Sequence, residues 1–217
     1  MIARDKILIL GSGISGIGVA KLAQKKGLNV SLSDSKNIKS ETKKILSELG
    51  VIYEESGHTE NLIKDSNEIV ISPGIDLKSL IKSKPSLQNK NVISEIEFAS
   101  RYTNAFIIAV TGTNGKTTTS KLIYHILKNS GFNVGLAGNI GYSFSGSIAE
   151  NQFDYYVVEV SSFQLDHILN FRPDISVITN ITPDHLDRYD HKLENYINAK
   201  FKIISNCLLY TSDAADE

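Results

Sequence analysis

The length, composition and charge of the chain exclude several classes of protein. Its 217 residues are 41% hydrophobic and 22% charged, which supports one large or two modest cores and is unlike a disordered composition. A formal net charge of −1 argues against nucleic acid or an anionic membrane as a partner. The single cysteine cannot form an internal disulfide, so the cytoplasm is the expected compartment.

The first hundred residues alternate short apolar runs with amphipathic stretches, a pattern typical of parallel strands joined by helices in an α/β fold. Strands are predicted at 6–10, 29–33, 51–53 and 68–72, and helices after residue 13, at 40–49 and at 94–102. The apolar run at 6–10 is too short for a signal sequence or a membrane span.

A second α/β unit is predicted to begin at Ala105, which gives domains over 1–104 and 105–206. Its strands are predicted at 106–110, 133–136, 155–160 and 175–179, and each ends in a polar cluster. Ligands in such sheets bind outside the carboxyl ends of the strands. The polar clusters are therefore the first places to look for a functional site.

The first glycine-rich turn, Gly11-Ser-Gly13-Ile-Ser-Gly16, follows a predicted strand and opens a helix. This arrangement points free backbone N–H groups at a phosphate. With Asp34 at the end of the second strand, it is compatible with a nicotinamide or flavin dinucleotide site. A purely structural tight turn is the alternative.

The second glycine-rich turn, Thr111-Gly-Thr-Asn-Gly-Lys-Thr117, indicates a nucleoside-triphosphate site. Residues Gly112 to Thr118 would wrap the phosphates with backbone amides, Lys116 would neutralise the β and γ oxygens, and the Thr117 hydroxyl would bind Mg²⁺. The spacing departs from the general P-loop pattern, whose first glycine would fall at Val110.

Two later residues are candidate metal ligands. Glu159 ends a strand of valines, where a carboxylate is costly to bury unless it meets a cation, so Mg²⁺ or a salt bridge is expected. His185 lies in Thr179-Asn-Ile-Thr-Pro-Asp-His185-Leu-Asp187, at the end of the next strand. A single histidine in a polar loop is also compatible with simple solvation.

Four segments in series resemble the Mur ligase family in order and spacing. They are Thr111–Thr117, Gly138-Asn-Ile-Gly141, Glu159-Val-Ser-Ser-Phe-Gln-Leu165 and Asn180-Ile-Thr-Pro-Asp-His-Leu-Asp-Arg-Tyr189. The resemblance covers residues 1 to about 206 and implies a Rossmann-like UDP-binding domain followed by part of an ATP-binding central domain. The Ser-Ser-Phe-Gln-Leu form resembles the member that adds D-glutamate to UDP-N-acetylmuramoyl-L-alanine.

The resemblance also implies which residues form the site. Two Mg²⁺ ions are expected, one held by Thr117 and Glu159 and the other by His185 and Lys200, whose side chain is carbamylated in this family. The catalytic residues implied are Lys116, His185 and Lys200. The residues implied to bind the UDP-sugar are Ile14, Ser15, Asp34, Ser35, Lys36, Ser72, Pro73, Gly74, Asn139, Ser161 and Gln164.

The reaction implied by the family proceeds through an acyl phosphate made from ATP, which the amine of D-glutamate then displaces. Its small-molecule partners would be UDP-N-acetylmuramoyl-L-alanine, ATP and D-glutamate, and the full-length enzyme is expected to be monomeric. Alternatives are another Mur or folylpolyglutamate-type amide ligase, a nicotinamide-dependent oxidoreductase, and a P-loop ATPase or regulatory module without ligase chemistry.

The end of the chain departs from the family pattern. Residues 207–217, Cys-Leu-Leu-Tyr-Thr-Ser-Asp-Ala-Ala-Asp-Glu, resemble the translation of a sequencing adaptor, so a non-native tail is expected there. Family members also carry a third domain that supplies the D-glutamate contacts. A chain that stops before that domain is expected to bind ligands at most, without turnover.

Overall fold

The computed structural model describes residues 6–207 and, for 209–212, the backbone alone. The strands are β1 (Lys6–Leu10), β2 (Asn29–Ser33), β3 (Ile52–Glu54), β4 (Glu68–Ile71), β5 (Asn91–Ser94), β6 (Phe106–Thr111), β7 (Val134–Gly138), β8 (Tyr155–Glu159), β9 (Ile175–Ile178) and β10 (Leu209–Ser212). The helices are α1 (Ile14–Lys25), α2 (Ser40–Glu48), α3 (Glu60–Asp65), α4 (Leu77–Ser83), α5 (Glu95–Ser100), α6 (Lys116–Asn129), α7 (Phe144–Glu150), α8 (Ser162–Leu165) and α9 (Leu193–Phe201). Short 3-10 helices occur at Pro85–Asn89, Leu186–Tyr189 and Lys202–Ile204.

The strands form two parallel sheets, which confirms the predicted α/β class. The first has the order β3-β2-β1-β4-β5 and the second the order β10-β9-β6-β8-β7. In each sheet the strand that precedes a glycine-rich turn, β1 or β6, lies in the interior beside the point where the strand order reverses. Such a switch point is where parallel sheets open a crevice for ligands. Within the part of the chain that the structure describes, no helix is long and apolar enough to span a membrane.

The strands predicted from apolar runs are present, with ends shifted by one or two residues. The third begins at Ile52 rather than at residue 51, and the seventh extends to Gly138 rather than ending at 136. Strand β5 and the short helices α3, α4, α7 and α8 were not predicted. Strand β5 has only four residues, of which Ile93 and Ser94 are buried, so its pairing with β4 decides its structure.

The expected non-native tail at 207–217 overlaps one strand. Residues 209–212 pair in parallel with β9, Leu209 opposite Ile175, whereas 208 and 213–217 lie outside the described residues, as do 1–5 of the first domain. The origin of the tail stays a prediction.

A close helix contact joins the two sheets' units. Gly18 in α1 packs against the N-terminus of α7, where a Cβ atom on Gly18 would lie 1.9 Å from Ser143 Oγ and 2.9 Å from Gly146 N. Any larger residue would push the helices apart, because those atoms belong to the helix cap and backbone. Ser143 is fixed there, since its hydroxyl accepts from Gly146 N at 3.0 Å.

Two buried carboxylates of α5 complete this interface. Glu97 is fully buried, and its Oε2 accepts the backbone N–H groups of Leu169, Asn170 and Phe171 at 2.9, 2.9 and 2.7 Å. Its Oε1 faces Arg101 at 3.3 Å. Glu95 accepts from Ser145 N, while its Oε2 has no hydrogen-bond partner among the residues that the structure describes. Burial raises the pKa of Glu95 to about 7. A carboxylate from one unit therefore satisfies backbone donors of the other.

We expect Glu97→Ala to lower the free energy of unfolding by about 3 kcal/mol, because it leaves three buried N–H groups without an acceptor. Chemical denaturation followed by circular dichroism measures this change. The matched control is Glu48→Ala, at an exposed carboxylate 4.0 Å from Lys44 on α2, which should change stability by less than about 0.5 kcal/mol. Equal effects of the two substitutions would contradict the role given to Glu97.

Candidate functional site

The second glycine-rich turn lies directly after β6 and leads into α6, as predicted. Gly112 has φ 148°, and a Cβ atom there would lie 1.9 Å from Thr179 Oγ1. Gly115 has φ 79° at the start of α6. Both positions require glycine, the first for space and conformation and the second for conformation. The backbone of the turn can thus approach a phosphate without an intervening side chain.

Lys116 lies at the N-terminus of α6, and its side chain folds towards the preceding turn. Its Nζ donates to the carbonyl oxygens of Gly112 at 2.9 Å and Thr113 at 2.8 Å. The turn is braced from β9, where the side chain of Asn180 accepts from Asn114 N at 3.0 Å. A cationic donor above free helix N–H groups is the arrangement that binds phosphate oxygens.

Glu159 at the end of β8 contacts this turn through Thr117. Its Oε2 accepts from Thr117 Oγ1 at 2.7 Å, and its Oε1 accepts from Asn139 Nδ2 at 3.0 Å. Only 2% of Glu159 is exposed. Among residues 6–207 it forms no ion pair, so the salt bridge considered from the sequence is wrong.

The Thr117 and Glu159 oxygens fit a divalent cation. A hydroxyl and a carboxylate 2.7 Å apart are hard oxygen donors of the kind that Mg²⁺ prefers. No group of three or more His, Cys, Asp or Glu side chains that could hold a metal occurs in the described residues. Any such ion would therefore take most of its ligands from water or substrate.

His185 lies in a strained loop between β9 and the 3-10 helix Leu186–Tyr189. It has φ 49°, a left-handed conformation that is uncommon for residues with a side chain. Its exposed ring lies 3.5 Å, Nε2 to Oδ2, from Asp184 and packs at 5.2 Å from the ring of Phe163. Asp184 would thus orient the ring of His185 beside the cavity described below.

Lys200 on α9 contacts the second glycine-rich turn. It is 1% exposed, its Nζ donates to Gly112 O at 2.7 Å, and it lies 4.6 Å from the ring centre of Tyr196. Burial, assisted by the positive charge of Lys116 and opposed by Asp184, lowers the pKa of Lys200 to about 8. A plain amine or ammonium there is not a Mg²⁺ ligand, so the second metal site fits only if Lys200 is carbamylated.

One cavity of about 310 Å³ brings Lys116, Asn139, His185 and Lys200 together, whereas Thr117 and Glu159 do not line it. Its wall combines a turn of the first unit, Pro73 and Gly74, with residues of the second. The latter are Lys116, Asn139, Ser161, Ser162, Phe163, Asp184, His185, Arg188, Tyr196 and Lys200. A cavity of about 520 Å³ also lies between residues of the two units, and Lys25, Tyr102 and Phe153 are among those that line it. None of the predicted site residues lines it, so we favour the smaller cavity.

The first glycine-rich turn is held by Asp34. Its Oδ2 accepts from Ser12 N at 2.7 Å and Ser12 Oγ at 2.6 Å, and its Oδ1 accepts from Lys36 N at 2.9 Å. Burial alone would raise the pKa of Asp34, but these hydrogen bonds outweigh it and lower the pKa. Asp34, Lys36 and the neighbouring Ser35 thus lie at the end of β2 beside the turn.

Three other predicted positions lie close to this turn or to the neighbouring helix. Ser72 follows β4, and its Oγ is buried close to Gly11 without a hydrogen-bond partner in the described part of the chain. Ile14 is 61% exposed, and together with Tyr142 it lines a separate small cavity. Ser15 follows it in the first turn of α1.

Gln164 differs from the expectation that it reaches the sugar-nucleotide pocket. It is buried, and its Oε1 accepts from Ser161 N at 3.0 Å and Ser161 Oγ at 3.1 Å. Together they form a capping box at the start of α8. Gln164 therefore stabilises the N-terminus of α8, whereas Ser161 lines the cavity.

Sequence reasoning overlooked five residues that line the cavity. They are Ser162, Phe163, Asp184, Arg188 and Tyr196. The hydroxyl of Tyr196 lies 3.1 Å from Thr113 Oγ1. The other four belong to two of the four segments that carried the family resemblance, which was the available signal.

Comparisons with known proteins give a consistent result. The sequence model of the Mur ligase middle domain matches residues 110–211, and that of the MurD N-terminal domain matches residues 6–81. A relative from Bacteroides fragilis, named UDP-N-acetylmuramoylalanine--D-glutamate ligase, is 54% identical over 93% of this chain and 45% of its own length. A relative of the same name from Porphyromonas gingivalis is 47% identical over 95% of this chain and 47% of its own length. Another, from Salinibacter ruber, is 43% identical over 94% of this chain and 46% of its own length. The chain thus spans about half the length of these relatives.

Solved structures share the fold. A UDP-N-acetylmuramate:L-alanyl-gamma-D-glutamyl-meso-diaminopimelate ligase from Neisseria meningitides has a TM-score of 0.60 at 22% identity, over 99% of this chain and 73% of that one. A UDP-N-acetylmuramate-alanine ligase from Thermotoga maritima has a TM-score of 0.59 at 24% identity, over 97% of this chain and 49% of that one. At these identities the likeness concerns the fold alone.

The lowered pKa of Lys200 predicts a pH dependence of stability. In the unfolded chain this lysine takes up its proton below its ordinary pKa of about 10.4, but in the folded chain only below about 8. Between these values the unfolded state binds more protons, so the contribution of Lys200 makes the folded state more stable as pH rises. In buffer free of carbon dioxide, urea unfolding at pH 7.5 and 9.5 should show a larger gain for the unsubstituted chain than for Lys200→Met. Parallel pH profiles would contradict the burial of an uncharged amine.

Proposed function

The chain belongs to the Mur ligase family, and from this premise we propose that it forms the sugar-nucleotide and ATP sites of a ligase that joins D-glutamate to UDP-N-acetylmuramoyl-L-alanine. The observation that carries the proposal is the cavity shared by Pro73 and Gly74 of the first unit and Lys116, His185 and Lys200 of the second. A substrate held by the first sheet would there meet a nucleotide held by the second. A cytoplasmic location and a monomeric enzyme remain predictions.

The proposed reaction has two steps. A carboxylate oxygen of the sugar-nucleotide substrate attacks the γ-phosphorus of ATP, and the bond to the ADP oxygen breaks, which gives an acyl phosphate. The amine of D-glutamate then attacks the acyl carbon, phosphate leaves and the nitrogen loses a proton, which gives the amide. Both steps gather negative charge between the two substrates, so catalysis depends on placement and charge stabilisation.

The residues of this chain would share these tasks. The backbone of the 112–115 turn and Lys116 would bind the β and γ phosphate oxygens, and Lys116 would exchange its carbonyl contacts on Gly112 and Thr113 for them. Mg²⁺, when bound, supplies positive charge beside the phosphates, and Thr117 and Glu159 would hold it. Asn139 and Ser161 would orient the substrate, since both line the cavity.

Lys200 would act through its carbamate. Carbamylation requires the neutral amine, and a lysine with a pKa of about 8 holds far more of it at neutral pH than an ordinary lysine does. The carbamate would be an anion close to Lys116, and it would hold the second cation together with His185. The geometry thus suits the modification, although the modification itself is a proposal.

Two alternatives are less well supported. A nicotinamide-dependent oxidoreductase would leave the 112–117 turn and its contacts with Glu159 without a function. Another amide ligase of the same family would share both sheets and both turns, but the three relatives compared above all carry the D-glutamate ligase name.

The first test is binding of UDP-N-acetylmuramoyl-L-alanine and of NADH to the chain by calorimetry. We expect binding of the muramoyl nucleotide, because the sites at Asp34 and at the shared cavity are both present, and none of NADH. Binding of NADH alone would overturn the proposal in favour of an oxidoreductase.

The second test concerns the nucleotide. Lys116→Ala should weaken ATP binding by about tenfold to a hundredfold, the loss of a charged hydrogen-bond donor to phosphate. The matched control is Lys121→Ala, because Lys121 is exposed on the same helix one turn beyond the phosphate loop. Calorimetry or a fluorescent ATP analogue measures both, and equal affinities for the two variants would count against a nucleotide site at the 112–117 turn.

A further inference from the structure

Arg188 crosses from the second unit to the first along the edge of the shared cavity. Its Nη2 donates to the carbonyl oxygen of Ile75 at 3.1 Å, in the turn between β4 and α4. Its guanidinium lies 4.6 Å above the ring of Phe163 in α8. One side chain thus joins three segments of the cavity wall: the turn of the first unit, α8 and the loop that carries His185.

The aromatic partner of Arg188 is itself fixed. Phe163 stacks against Tyr189 with ring centres 6.0 Å apart and planes inclined by 5°. Tyr189 is buried and donates to Asp166 Oδ2 at 2.9 Å. The ring under Arg188 therefore has little freedom, and a planar guanidinium that stacks and donates at once is held in one orientation.

The positive charge of Arg188 also acts on the turn of the first unit. The pKa of Asp76, which caps α4, is lowered by the Ser79 hydroxyl first, against the effect of burial, and in part by Arg188. Asp76 Oδ1 accepts from Lys78 N at 3.0 Å. The guanidinium of Arg188 thus interacts with both the Ile75 carbonyl oxygen and the Asp76 carboxylate.

We propose that Arg188 is a positioning residue that fixes the distance between the Ser72–Asp76 turn and the His185 loop, so that one sugar nucleotide is held by both units at once. The inference rests on the proposed function, because it concerns a ligand that spans the cavity. A ligand bound by the phosphate loop alone does not depend on that distance.

The chain contains a second bridge between the same two segments, which serves as a matched control. Lys78 Nζ lies 2.9 Å from Asp190 Oδ2, but both side chains are largely exposed, at 70% and 60%. Exposed ion pairs contribute little, because solvent screens them and two long side chains must be ordered. Arg188 differs since it stacks on a fixed ring and donates to a carbonyl.

The test compares Arg188→Met, Arg188→Lys and Lys78→Ala in the full chain. Calorimetry with UDP-N-acetylmuramoyl-L-alanine should show binding about tenfold weaker for Arg188→Met, which keeps an unbranched stem and removes the guanidinium with its donors. ATP affinity should stay within about twofold. Arg188→Lys should recover part of the loss, and Lys78→Ala should match the unsubstituted chain. Thermal unfolding of each variant shows whether it is folded.

The outcomes separate the inference from the proposed function. If the unsubstituted chain binds the muramoyl nucleotide and Arg188→Met binds it equally well, Arg188 does not position the turn. Loss of ATP and muramoyl binding together, in a folded variant, would assign Arg188 to general stability of the site and also overturn the inference. If the unsubstituted chain does not bind the muramoyl nucleotide, the proposed function itself fails, and this inference with it.

Discussion

The buried carboxylate of Glu97 is the interaction on which the rest of the site depends. It lies on α5 of the first unit, yet three backbone N–H groups of 169–171 in the second unit donate to one of its oxygens. A charge removed from water must be matched by donors that are fixed in place. The two sheets are thereby held in one relative position, which the close contact at Gly18 makes tighter.

That relative position brings the carboxyl ends of both sheets towards one cavity. The turn after β4 contributes Pro73 and Gly74, and the phosphate loop after β6 contributes Lys116. Glu159 at the end of β8 contacts that loop through Thr117. The cavity wall carries the positive charges of Lys116 and Arg188 and the carboxylate of Asp184. Such a wall suits two anionic substrates that must approach each other, since each would otherwise repel its partner.

The carbonyl oxygen of Gly112 shows how closely the parts depend on one another. It accepts from both Lys116 and Lys200, so the phosphate loop and α9 share one acceptor. Two ammonium groups at such short range favour loss of one proton, and Lys200 is the more deeply buried of the two. The uncharged amine that carbamylation requires thus follows from burial and from a neighbouring charge rather than from a separate base.

The sequence by itself determined the α/β class, the main strands and both glycine-rich turns, because buried parallel strands are continuous apolar runs and because glycine is required where φ is positive. The pairing of Thr117 with Glu159 was implied by the family resemblance, and in the structure Thr117 Oγ1 lies 2.7 Å from Glu159 Oε2. Only the tertiary structure decided that Glu159 forms no ion pair within the described part of the chain, that Gln164 caps α8 instead of lining the cavity, and that Arg188 links the two units. These contacts join residues far apart in the chain, such as Arg188 and Ile75, and local pattern carries no information about which distant groups will meet.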